Sequence, residues 1–241
     1  MKKLSIFVVL SFIPVMIFGF PYGSIMNFNP AYMVFNTQWD ASYESYFGTD
    51  DMSLMVFQPF TNGFAGKLGI YTEQATSGIV YSLATQSGQL AMGMDFLLSN
   101  SGTTVALNVG AGIIQKLSEN LDVTVRLPQM VSYIYNGGIS VSPDLELGVD
   151  LPYQNWSAGT FLNIGQIMKG GIWGSVSLFN LQLLARMDGW YNTSILSSSE
   201  NTFTFVSQYS IGSINFAYLY QKIWGNIENS QTNGIRISMK W

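Results

Sequence analysis

The chain has 241 residues, with ten basic and 14 acidic side chains, no histidine and no cysteine; charged residues make up 10 % and aromatics 15 %, and mean hydropathy is +0.23. Soluble domains carry about 25 % charge, so a surface that faces water all round is excluded. The acidic balance excludes a nucleic-acid partner, which selects Lys/Arg-rich surfaces, and the missing cysteine excludes disulfide, thiolate and lipoprotein chemistry.

The N-terminus reads as a targeting segment. Lys2 and Lys3 supply positive charge, and Leu4 to Phe18 is apolar apart from Ser5, Ser11 and Pro14. That is the length of a signal-peptide apolar region and short for a spanning helix. The expected organisation is a cleaved signal peptide over 1–19, a lead-in over 20–33 and one domain over 34–241. Cleavage leaves eight basic residues against 14 acidic, a net charge of −6. No later stretch of 18 apolar residues exists, so a membrane must be crossed by strands.

From Val34 onward, apolar and polar residues alternate with the period of a strand. Fourteen runs are expected, at 34–47, 52–60, 64–73, 77–85, 89–98, 103–114, 119–136, 138–151, 155–167, 170–179, 181–190, 202–209, 212–224 and 231–241. This predicts an all-β fold, a transmembrane antiparallel up-and-down barrel of about 14 strands. Twelve is the alternative, because 170–190 also reads as one bent strand and such barrels need an even number. In Leu121, Val123, Val125 and Leu127 against Asp122, Thr124 and Arg126, one face suits lipid and the other a polar lumen. A charge at the bilayer midplane costs about 2–4 kcal/mol. The charges expected to face the lumen are Asp40, Glu44, Lys67, Glu73, Asp95, Asp122, Arg126, Asp144, Glu146, Asp150, Arg186, Asp188, Arg236 and Lys240, nine acidic and five basic. Lys222 falls on the apolar parity near a strand end, where its stem can snorkel.

The longest expected loops, Trp190 to Thr202 and Gly225 to Gln231, fall on the side opposite the termini, and turns such as Phe60–Gly63 and Tyr209–Gly212 are short. Long outer loops and short periplasmic turns are typical of these barrels. Asn136-Gly137-Gly138 marks a turn between two long runs that would project as a hairpin. Tyr43, Tyr46, Phe47, Phe60, Phe64, Trp156, Trp190, Tyr191 and Trp224 lie near strand ends, as an interfacial girdle requires.

The chain ends on Ile235, Ile237, Met239 and Trp241 alternating with Arg236, Ser238 and Lys240. This pattern resembles the C-terminal signal by which bacterial outer-membrane barrels are recognised for insertion. The resemblance implies outer-membrane lipid and the barrel-assembly machinery as partners. Asn29-Pro30-Ala31 is similar to the Asn-Pro-Ala segment near the N-terminus of FadL-like barrels, which have 14 strands and an N-terminal plug. It implies transport of hydrophobic compounds, although little chain precedes the first expected strand to form a plug.

Without histidine the usual proton-transfer group near neutral pH is missing. Barrel enzymes of the phospholipase, omptin and palmitoyl-transferase types resemble one another in needing one, so no enzyme activity, catalytic residue or cofactor is expected. Gly110-Ala111-Gly112 lacks the third glycine of a dinucleotide loop. Asp144, Glu146 and Asp150 share one strand face, able to hold a hard cation or to form a solvated acidic face against Arg126. The favoured function is a porin-like passive channel for small solutes with mild cation preference, given the acidic excess at lumen parity. The alternatives are a structural barrel filled by residues such as Tyr71, Leu97 and Phe161, and a FadL-like transporter.

Overall fold

The computed structural model describes residues 29–35, 38–59, 63–73, 76–102, 104–135, 137–141, 144–165, 167–192, 199–225 and 229–241. The expected signal peptide and most of the lead-in lie outside the described residues. Fifteen strands follow one another: β1 (Asp40–Tyr46), β2 (Met52–Pro59), β3 (Phe64–Glu73), β4 (Thr76–Ser87), β5 (Leu90–Ser101), β6 (Thr104–Ser118), β7 (Leu121–Ile134) and β8 (Gly138–Ser140). Then come β9 (Leu145–Pro152), β10 (Trp156–Ile164), β11 (Ile167–Leu178), β12 (Leu181–Asn192), β13 (Ser199–Ile211), β14 (Ile214–Gly225) and β15 (Asn229–Lys240).

Apart from β8 and β9, consecutive strands pair antiparallel, and β1 pairs with β15 to close the ring. Strands β8 and β9 share one position in the wall, since both pair with β7 at different heights. The barrel therefore has 14 strands. The twelve-strand alternative is corrected by Phe179–Asn180, a two-residue turn between β11 and β12 in which Phe179 adopts φ 54°. Pairing of β1 with β15 removes the two terminal edges of the sheet, a condition for β-structure in a bilayer.

Alternation decides which face each residue takes. Leu54, Val56, Leu68, Ile70, Ile79 and Leu83 are exposed on the outside of adjacent strands, while Met55, Tyr71, Val80 and Leu97 cluster inside. At the seam, Ile235, Ile237 and Met239 point outward, and the Trp39 and Trp241 rings stack at 6.2 Å. The backbones of these two tryptophans exchange hydrogen bonds of 3.2 Å in both directions, so the last residue fastens the first strand.

Three expectations about boundaries change. The first strand begins at Asp40 and not near Val34, because Pro30–Phe35 forms a 3-10 turn inside the barrel. The run expected over 138–151 is broken into β8 and β9. Strands β12 and β13 extend to Asn192 and Ser199, taking up five of the eleven residues expected between the two runs; residues 193–198 lie outside the described residues.

Candidate functional site: the barrel interior

The segment entering the barrel is the first element of the site. Pro30, Ala31 and Met33 are completely buried. Met33 packs with Phe57, Ala65 and Ala84, and Ala31 with Ala91 and Ile114, so the segment lies against the inner wall of β2–β6. Gly93 permits this approach, since a Cβ there would lie 2.6 Å from the Pro30 carbonyl carbon. Asn29 supplies the polar anchor. Its Nδ2 donates to the carbonyls of Ile113 (3.2 Å) and Val125 (3.3 Å), residues paired across β6 and β7, and its Oδ1 accepts from Ala31 N at 3.0 Å. At the far end, the Lys116 ammonium sits 4.0 Å from the Phe35 ring centroid. Little chain precedes the first expected strand, yet Asn29–Phe35, five residues of the lead-in and the first two of that expected strand, fill part of the lumen.

The charged residues follow in rows set by the strand register. Asp40, Glu44, Lys67, Asp122, Arg126, Asp150, Asp188, Arg236 and Lys240 are buried, and Asp95, Asp144, Glu146 and Arg186 are half-buried. Glu73 ends β3, its side chain lying outside what the structure describes. Asp40 stands opposite Lys240, and Glu44 opposite Arg236 with Oε1 and Nη1 3.5 Å apart. Arg236 also donates to Gln208 Oε1 at 2.8 Å, and Tyr46 donates to Glu44 Oε2 at 3.1 Å. Arg126 faces Glu146 at 4.0 Å, and Arg186 Nε contacts both Asp188 oxygens at 2.8 Å. These pairs cost desolvation that their attraction only offsets.

The acidic trio on one strand is not brought to a point. Glu146 turns to Arg126, Asp150 accepts from Trp173 Nε1 at 3.2 Å, and Asp144 precedes the strand. Among the described residues no three His, Cys, Asp or Glu side chains converge on one metal position.

Several interior residues escaped the sequence reading. Lys169 is the third residue of β11, just before the expected run, within electrostatic reach of Asp188 and Glu146. Lys116 lies beyond the expected end of β6 and pairs with Asp122 just before a register shift. With both added, eight of the expected acidic residues stand against seven basic ones among the described side chains, an excess of one. A longer run in each case, read through its turn signal, would have found them.

A cavity of about 60 Å³ remains between the N-terminal segment and the opposite wall, bounded by Asn29, Tyr32, Glu146, Asp150, Trp173 and Arg186. One stretch of the wall is irregular. Val109 pairs with Val131 and Ala111 with Leu127, so three residues of β7, Pro128 to Met130, face the single Gly110. On its other side β7 pairs with β9 only up to Arg126 and with β8 only from Ser132. Among the described residues, Leu127–Val131 therefore has no ladder partner there. Pro128 lacks the N–H that a central strand would use.

No family model matches the chain, and no curated protein matches its sequence. Solved structures do match in shape. The monoaromatic hydrocarbon channel CymD aligns with a TM-score of 0.63 at 8 % identity, over 89 % of this chain and 91 % of that one. The P. putida toluene transporter TodX gives 0.59 at 12 %, over 90 % and 94 %. A Pseudomonas aeruginosa FadL homologue gives 0.57 at 10 %, over 92 % and 94 %. With ring closure and an apolar outer face, these likenesses give the chain the fold of a 14-stranded bacterial outer-membrane β-barrel.

Proposed function

We propose that this barrel is an outer-membrane channel for small solutes, stoppered in the described state by its own Asn29–Phe35 segment. The observation that carries the reading is the docking of that segment by Asn29 on β6 and β7, beside a cavity of about 60 Å³. A wide, permanently open pore does not fit an interior in which most inward side chains are buried. The cation preference expected from sequence becomes weaker here, because Lys116 and Lys169 offset part of the acidic excess.

A second reading concerns the solute. The barrels of similar shape are described as a monoaromatic hydrocarbon channel and a toluene transporter. The stretch Leu127–Val131, which among the described residues has no ladder partner on its β8–β9 side, supports an apolar compound leaving sideways into the membrane, since a wall without ladder bonds on one side parts there at less cost than a paired one.

Conductance of the refolded protein in a planar bilayer tests the channel. The full chain is expected to stay closed for long periods and to open in brief events with a small cation preference. A form lacking residues 29–35 is expected to conduct steadily. No conductance from either form would refute the channel and support the structural, filled-lumen reading; clear anion selectivity would refute the charge argument.

A further inference from the structure

A row of inward positions crosses the wall at one level and ends at its irregular stretch. Lys67, Ser82, Asp95 and Gly110 stand opposite one another on β3, β4, β5 and β6. The next place belongs to Pro128–Met130 of β7, which face Gly110 together. Gly110 puts no side chain there. A Cβ on it would lie 2.7 Å from the Pro128 carbonyl oxygen and 3.3 Å from that of Leu127. The Pro128 carbonyl thus stands over the inner face of β6, in the place of an inward side chain.

A cavity of about 10 Å³ lies at this point, with Asp95, Gly110, Arg126 and Pro128 in its lining. Arg126 is 2 % exposed, and its Nε and Nη1 have no hydrogen-bond partner among the described residues. Its approach to Glu146 spans 4.0 Å, beyond hydrogen-bond range. Asp95 Oδ1 is likewise buried without a hydrogen-bond partner among the described residues. The charges answer one another, since Lys67 lies within electrostatic reach of Asp95, and Glu146 faces Arg126. Donors and an acceptor are left to satisfy, with no charge left over.

We propose that this cavity binds one ordered water, which accepts from the Arg126 guanidinium and donates to Asp95 Oδ1 and the Pro128 carbonyl. Size sets the ligand: a single water takes about 10–15 Å³ by this measure, and a buried water makes about three hydrogen bonds. A metal cation is opposed by Arg126, an anion by Asp95, and a hydrocarbon would leave both side chains unsatisfied. The wall gives an independent reason. Among the described residues, Leu127–Val131 has no ladder partner on its β8–β9 side, and irregular backbone at membrane depth is tolerated where protein covers it or where it lines a hydrated cavity. Gly110 makes the room, and Arg126 and Asp95 fix the water in it. The inference goes beyond the channel reading and does not depend on it.

The test is a crystal structure of the refolded full chain in detergent in which ordered waters are visible. One water is expected within about 3.2 Å of an Arg126 nitrogen and of Asp95 Oδ1. A direct Arg126–Asp95 hydrogen bond that closes the cavity overturns the proposal, as does a dry cavity between ordered side chains. Replacement of the peak by bromide on soaking also overturns it, as the site would then hold an anion. In Gly110→Ala the added methyl takes the space, so the water is expected to be lost from a variant that heat-modifiable migration in SDS gels shows to be folded. A water that persists there in the folded variant overturns the role of Gly110 and the proposal with it, and if the variant does not fold the wild-type crystal decides alone. Conductance from a barrel whose cavity is dry removes this inference and leaves the channel, whereas a bound water without conductance does the reverse.

Discussion

Replacing Asn29 with alanine isolates what holds the N-terminal segment in place. The side chain donates to two strand carbonyls, Ile113 at 3.2 Å and Val125 at 3.3 Å, and accepts from Ala31 N at 3.0 Å. At about 1 kcal/mol net for each bond to the wall, Asn29→Ala weakens docking by about 2 kcal/mol. Each 1.4 kcal/mol is a factor of ten, so the undocked population rises about thirtyfold. The segment is still held by Pro30, Ala31 and Met33, all buried, and the barrel itself loses no ladder bond. The expected outcome is a folded barrel whose open probability in a planar bilayer is about thirtyfold higher, with the same single-event conductance. Unchanged open probability in a folded variant would refute the anchoring role. A changed event conductance would show that Asn29 lines the open path and does not merely secure the stopper.

Three further perturbations follow from the same structure. Leu68 is 55 % exposed on the outer face of β3 beside inward Lys67, so Leu68→Arg should cost about 2–4 kcal/mol in urea unfolding from vesicles if it sits near the midplane; an unchanged midpoint would mean the faces are misassigned. Glu44→Gln strips Arg236 of its buried partner 3.5 Å away and should destabilise by about 3–5 kcal/mol. Replacing both Glu44 and Arg236 with methionine should recover most of that loss, and equal destabilisation of single and double variants would exclude a buried-charge effect. Trp241→Ser removes the stack on Trp39 and should lower the yield of heat-modifiable barrel in outer-membrane fractions, with wild-type yield counting against the terminal residue as part of assembly.

The N-terminal segment shows most plainly why position in sequence and position in space part company. Asn29-Pro30-Ala31 was legible as a resemblance, but its seat was not, because the carbonyls that receive Asn29 belong to residues 84 and 96 positions away. Lys116 and Lys169 were overlooked for a related reason. Their inward direction depends on how far β6 and β11 continue, and a strand's length is settled by its neighbours' hydrogen bonds and not by its own alternation.

Alternation determined the class of architecture, an antiparallel barrel, and left the choice between 12 and 14 strands open. A period of two on a chain with so few charges leaves one face for lipid, and backbone groups in lipid must all be paired, which forces a closed ring. The placement of the lumen charges at buried or half-buried sites, as in Asp122, Arg126 and Asp150, rests on the same periodicity. Only the tertiary structure decided that β8 and β9 share one place in the wall, that Pro128 to Met130 stand against the single Gly110, and that Asn29 and Asp150 border one cavity. Those features depend on register, and register is a relation between strands: the period of one strand says which face a residue takes, and nothing about which residue stands beside it.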